Sequence, residues 1–179
     1  MHISPRELAY CGLFGAASLL LPMLFHVLQL GPVFMPMYLP LVTLAFFVRP
    51  LLAALTAMLT PILSGAVLGM PPLFPPIAPV MAIELGLMAA LIAFCVRRWP
   101  RLNAWVVLLP ILLTGRALHV AMMFLVASFI QLPAGVMAGV SFLTGWPGII
   151  LMLVVVPPIA KVGRELARSN TSSRERIPE

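Results

Sequence analysis

Charged residues make up only 9% of this 179-residue chain, and aspartate is absent altogether. With 62% hydrophobic residues and a mean hydropathy of +1.11, that scarcity excludes a soluble globular domain. Two cysteines, Cys11 and Cys95, give no metal-ligand spacing, and both fall near span ends expected in the reducing cytoplasm, which argues against a disulfide. No Gly-x-x-x-x-Gly-Lys-[Ser/Thr] loop is present to cradle nucleotide phosphates, so any ATP-driven work must use another chain. The His-Glu-x-x-His and Gly-x-Ser-x-Gly signals of hydrolases are missing too, and the expectation is a protein that is not an enzyme and carries no cofactor. No two carboxylates share a depth, which argues against a proton-coupled carrier of the common carboxylate kind. The net charge of +6 does not imply nucleic acid, because the basic residues lie at span ends and in a short tail rather than on a face interleaved with aromatics. Attraction to the anionic inner leaflet of a lipid bilayer accounts for them.

What is present is a spacing. Arg6, then Arg49, then Arg97, Arg98 and Arg101, then Lys161, Arg164, Arg168, Arg174 and Arg176 divide the chain into stretches 7–48, 50–96 and 102–160. Within these stretches the one Lys or Arg is Arg116. Each stretch is roughly twice the ~20 apolar residues that cross a bilayer. Short cytoplasmic loops collect Lys and Arg, so each basic group is expected inside. The prediction is an all-α membrane protein: a six-transmembrane-helix bundle of three hairpins with N- and C-termini cytoplasmic. The bundle domain covers 1–168, and 169–179 reads as a disordered polar cytoplasmic tail. The first apolar stretch runs into more apolar sequence with no small-residue cleavage site, and reads as an uncleaved first span.

Span one is expected at about 8–29, with Gly12, Gly15, Ala16 and Ala17 forming a small-residue face that permits close helix approach in lipid. Span two, about 33–48, is short and carries Pro36 and Pro40, so it should be bent or partly unwound. Irregular backbone at that depth persists only when buried in protein or lining a cavity, which makes Phe34, Met35, Met37 and Tyr38 a candidate pocket wall. Span three, about 51–68, leads into Gly69-Met70-Pro71-Pro72-Leu73-Phe74-Pro75-Pro76-Ile77-Ala78-Pro79, an uncharged apolar segment with five prolines. A water-exposed linker is normally polar, so this loop reads as a lid over the outer mouth, or else as a loop lying against lipid headgroups. Spans four, five and six are expected at about 79–96, 104–130 and 134–161.

Four ionisable side chains fall inside spans: His26, Glu84, Arg116 and His119. A charge at the centre of a membrane helix costs at least ~2.5 kcal/mol, so such groups face a cavity or a partner. At ~1.5 Å rise per residue, the depths of Glu84 and Arg116 agree within about one helical turn, which makes a pair feasible. Either they form a bridge that fixes register, or Arg116 presents its planar fork to a ligand. His119 lies one turn from Arg116 on the same face and is in reach of either group. Met35, Met37, Met70 and Met81 lie near the expected outer pocket, where flexible thioethers fill irregular space.

These segments resemble an energy-coupling-factor (ECF) transporter substrate-binding subunit, the S component, of the vitamin-uptake type. The likeness is carried by Leu21-Pro22-Met23-Leu24-Phe25-His26, Phe34-Met35-Pro36-Met37-Tyr38-Leu39-Pro40 and Thr60-Pro61-Ile62-Leu63-Ser64. It continues through Gly69-Met70-Pro71-Pro72-Leu73-Phe74-Pro75, Met81-Ala82-Ile83-Glu84-Leu85, Gly115-Arg116 and Pro147-Gly148-Ile149-Ile150-Leu151. The resemblance implies a subunit that binds a vitamin-like small molecule from outside and topples on docking to a transmembrane coupling subunit, the T component, powered by two ATPase subunits. It implies a multi-pass protein of the bacterial plasma membrane. Glu84, Arg116, His119, Tyr38, Met37, His26 and Met70 are the candidate ligand contacts, and Gly12, Gly15 and Ala16 the candidate docking face. The chain departs from the pattern at Tyr38, where relatives often carry His, at Met88, where Tyr is frequent, and at Met152, where Gln is common. Two other classes remain open on the residues: a structural membrane scaffold of the MreD type without a ligand, and a small membrane enzyme using Glu84 or His119 as acid or base.

Overall fold

The computed structural model describes residues 4–27, 34–74, 76–130 and 145–174. Among them the chain forms six helices and no strand: α1 (Pro5–Val27), α2 (Tyr38–Leu44), α3 (Pro50–Leu68), α4 (Ile77–Arg98), α5 (Ala104–Phe129) and α6 (Trp146–Arg174). All except α2 are long and apolar enough, by length and composition, to cross a bilayer, which is the architecture of a multi-pass membrane protein.

Local chemistry sets most helix ends. Pro50 opens α3, where a missing N–H leaves nothing unsatisfied, and Gly69 closes it in the left-handed conformation that glycine adopts without strain. Asn103 caps α5, its side-chain oxygen accepting from the Trp105 amide at 3.3 Å. Arg97 and Arg98 complement the dipole at the end of α4.

The second span differs from expectation in an informative way. Its helix is only seven residues long, because Pro40 is tolerated in a first turn, where amide donors have no partner anyway, but not deeper in a helix. Beyond Leu44 the chain continues in tight turns, with amides of residues 45–48 donating to carbonyls of Leu41, Thr43 and Leu44. This short element is the centre of the molecule. Tyr38, Leu41, Val42 and Leu44 are all buried, and α2 packs against α1, α3, α4 and α6. The sixth span is described only from Gly145 onward, so its expected start near residue 134 lies outside the described residues. Its helix runs on to Arg174, through six residues of the tail expected to carry no structure. The strong helix formers Arg164, Glu165, Leu166, Ala167 and Arg168 lead into it.

Small residues bring the helices close. Ala53 and Ala57 of α3 are fully buried, and Gly86 of α4 lies so near Met58 of α3 that a Cβ would overlap that side chain. Without a hydrophobic drive between helices in lipid, such packing is what holds them. Leu13, Leu20, Leu55, Leu91 and Phe124 point outward, as lipid-facing side chains do. At the basic end Tyr10 and Phe14 of α1 pack on Phe47, with ring centroids 5.4 and 6.0 Å apart.

That end is fastened by a three-way ion cluster. Glu7 of α1 accepts from the Arg49 guanidinium at 2.9–3.2 Å and from the Arg49 amide at 3.0 Å, and its other contact is Arg97 Nη2 at 3.1 Å. One carboxylate thereby ties α1 to the start of α3 and the end of α4. Glu7 is well buried, whereas the Arg97 side chain is half exposed. Glu7→Gln is therefore expected to lower stability by about 1–3 kcal/mol, while Arg97→Gln costs less than about 1 kcal/mol. Unfolding transitions of the two variants in detergent check the order; equal effects would contradict the unequal roles assigned here.

Candidate functional site

Three of the four ionisable residues expected inside spans, together with Tyr38, converge in the interior. Glu84 projects from α4, Arg116 and His119 from α5 and Tyr38 from the first turn of α2, and all four are buried. The Tyr38 hydroxyl donates to Glu84 Oε2 at 2.6 Å. His119 Nδ1 lies 2.6 Å from the same oxygen. With the imidazole proton on Nδ1, both groups donate to an ionised carboxylate, and each is satisfied. One oxygen of Glu84 thus joins three helices, while neither bond uses Oε1.

Why the sequence arranges itself this way is partly local. Arg116 and His119 are three residues apart and so share the inner face of α5. Tyr38 can approach Glu84 because Pro36 and Pro40 shift the helix start to residue 38, and Met35, whose carbonyl accepts from the Tyr38 amide at 3.0 Å, takes a left-handed φ of 47°. That conformation is uncommon for a side chain of this size and marks a strained turn next to the site.

Tyr38, Glu84 and Arg116 line a cavity closed by Met35, Met88, Leu112, Ile149 and Met152. Its volume is about 10 Å³, on the order of what a single water requires. Tyr38, Met88 and Met152, the three positions at which the chain departs from its resemblance, all line this cavity.

The remaining sequence candidates lie elsewhere. Met37 is buried in the apolar core and is not part of the lining. Met70 is 48% exposed in the proline-rich loop, also away from the cavity. The side chain of His26 falls outside the described residues. The proline-rich segment folds back on its own hairpin: Ser64 Oγ donates to the Met70 carbonyl, the Ala78 amide donates to the Pro72 carbonyl at 3.1 Å, and Pro71 sits against Gly65. Leu73 and Phe74 are left exposed. None of the residues of this segment lines the cavity. On α1, Gly12 has no atom within 4 Å of where its Cβ would be, and Ala16 is exposed, whereas Gly15 faces α3, 3.6 Å from Thr56 Cγ2.

Two features escaped the sequence reading. The Glu7 cluster was hidden because the inside rule counts Lys and Arg and gives acidic residues little weight. A second, open cleft of about 480 Å³ lies at the basic end between the start of α5 and α6, lined by Trp105, Pro157, Pro158 and Lys161 among others. It contains none of the buried ionisable residues. Among the described residues, no three His, Cys, Asp or Glu side chains gather to hold a metal.

If Glu84 is the hub, its two bonds should be energetically coupled through it. Tyr38→Phe and Glu84→Gln are expected to show a coupling energy of about 0.5–3 kcal/mol in a double-mutant cycle, read from unfolding in detergent. Strict additivity would show that the Tyr38–Glu84 contact contributes nothing. Comparison of the chain with family models, curated proteins and solved structures returns no match, so the functional reading rests on the residues themselves.

Proposed function

We propose that this chain is the substrate-binding membrane subunit, the S component, of an ATP-driven ECF-type importer for a vitamin or related small micronutrient. It would lie in a bacterial plasma membrane as six spans, α2 and its flanking turns forming the second, with both termini cytoplasmic. The observation that carries the reading is the convergence of Tyr38, Glu84 and Arg116 on one interior cavity, with His119 held against Glu84. Buried ionisable groups in a membrane bundle are costly, and a hydrogen-bonded cluster facing a cavity is the form they take at substrate sites. Two further features support it. The exposed Gly12 and Ala16 give α1 an accessible small-residue surface for a T component, and the described residues include no Walker-type loop, so energy must come from ATPase partners.

One observation favours a second reading. A cavity of about 10 Å³ does not admit a vitamin, and a structural scaffold of the MreD type, with Glu84 and its partners serving only to fix helix register, needs no more room than that. The importer reading therefore requires that the cavity open, and its lining is suited to this because Met35, Met88 and Met152 are long and unbranched.

The two readings separate experimentally. Arg116→Ala is expected to weaken binding of a co-purified small molecule about tenfold or more while the fold persists, as seen by native mass spectrometry and by unfolding of the detergent-purified variant. Unfolding without any bound molecule in the parent protein favours the scaffold. Gly12→Leu combined with Ala16→Leu, at two exposed positions of α1, should abolish cellular uptake and leave ligand retention unchanged. Loss of retention in that variant would remove α1 as the docking face.

A further inference from the structure

Two methionines of the cavity lining each pack against a glycine behind them, as Met58 does against Gly86 elsewhere in the bundle. A Cβ on Gly115 of α5 would overlap the Sδ of Met88, and a Cβ on Gly145 would overlap the Cε of Met35. Arg116 Nη1 is also 3.2 Å from that second Cβ position. Both methionines line the cavity, and so does Met152. The space that would hold a ligand is thus occupied by thioether side chains resting on bare backbone. Met35 occupies its place from a left-handed backbone, φ 47°, a conformation that clusters at switch and clamp positions.

Resting on the importer reading above, we propose that Met35 and Met88 are displaceable plugs, and that the ligand that takes their place is a small, planar, uncharged heteroaromatic molecule. Swinging the two side chains aside exposes glycine surfaces that have no Cβ, which are flat and accept a ring face-on. Methionine sulfur makes favourable contacts with aromatic rings, and Met152 remains in the wall to supply them. The ligand's charge follows from the polar groups. Glu84 and Arg116 line the same cavity with opposite charges, so the site is already balanced. A ligand with a net charge would bring an uncompensated charge into a low-dielectric interior. A neutral ring with a donor at its edge instead meets Glu84 Oε1, the oxygen not engaged by Tyr38 or His119. A corrinoid is far too large for a space released by two methionine side chains, and a flexible aliphatic acid satisfies neither the flat floor nor the charge balance.

Native mass spectrometry of the full chain in detergent tests this. The protein is incubated with an equimolar set of neutral planar rings (nicotinamide, thymine, lumichrome), anionic rings (nicotinate, orotate) and non-planar molecules (pantothenate, caprolactam), and separately with an unfractionated small-molecule cell extract. Retention of a neutral planar ring is expected from the set or the extract. Gly115→Ala, which drives Met88 into the cavity, should lower that retention about tenfold or more, and adding Met88→Ala to it should restore binding. Met35→Ala removes a plug without adding an atom and should raise the fraction bound after brief exposure, a readout that holds even if Gly115→Ala fails to fold. Preferential retention of an anion or a non-planar molecule would overturn the proposal and leave the importer reading standing. So would unchanged retention in a folded Gly115→Ala, or slower loading of Met35→Ala. If neither the parent nor Met88→Ala retains anything from the set or the extract, both the plug and the importer readings fall.

Discussion

Inside a bilayer a carboxylate has no water to turn to, and the bundle is organised around providing for one. Glu84 is almost completely buried and its Oε2 receives both the Tyr38 hydroxyl and His119 Nδ1. Those two partners come from α2 and α5, so the three elements cannot separate without leaving an ionised group unsatisfied in a medium where that costs several kcal/mol. The position of α2 follows from this. A seven-residue helix cannot cross a membrane and cannot present a lipid-facing surface with its ends open, so it must be enclosed, and it is enclosed by α1, α3, α4 and α6. The Glu7 cluster does for the basic end what Glu84 does for the interior: one carboxylate holds Arg49 and Arg97 from two other elements.

The long helices were legible in the sequence because one strong signal dominates them. Expected spans at 51–68, 79–96 and 104–130 agree with α3, α4 and α5 to within two residues at each end, since Pro50, Gly69, Asn103 and the Arg97–Arg98 pair mark the ends as sharply as hydropathy marks the middles. The shared face of Arg116 and His119 was also legible, because three-residue spacing on a helix leaves no freedom. Span two was not legible beyond being irregular. Hydropathy sees the same apolar run whether it is a helix or a set of turns, and only the tertiary demand of Glu84 for Tyr38 selects a short helix starting after Pro36. The direction of the proline-rich loop was likewise open, because nothing in its composition distinguishes a fold over the mouth from a fold back onto Ser64 and Gly65. Glu7 carried no signal at all in a reading built on basic residues, although its three-way cluster is the densest set of ionic contacts among the described residues.

The site combines features that pull in different directions, and the tension is instructive. Fixed polar groups and a cavity of about 10 Å³ describe a rigid structural core. Long unbranched thioethers, a left-handed Met35 and glycines under Met35 and Met88 describe a surface that can be rearranged at low energetic cost. Leucine would fill the same volume with better-defined rotamers, and alanine at Gly115 with a smaller residue at 88 would pack as densely without the backbone entropy that glycine loses on folding. On the importer reading both sets have a use, a fixed polar wall to recognise and a compliant apolar wall to admit.

The two walls also come from different parts of the fold. Glu84, Arg116 and His119 stand on α4 and α5, which pack against each other, whereas Met35 stands on the turn leading into α2. Met35 is coupled to the polar wall through the turn, where its carbonyl accepts from the Tyr38 amide and Tyr38 holds Glu84, and through Gly145, beside which Met35 and Arg116 both lie. A movement of Met35 that relaxes its left-handed backbone would therefore reach the Tyr38–Glu84 bond, linking opening of the cavity to the strength of that bond. Occupancy of the cavity would then be felt by α2, which packs on α1, as α3 also does. On the importer reading, the irregular second span is thus placed, beside α3, to pass the state of the interior on to α1.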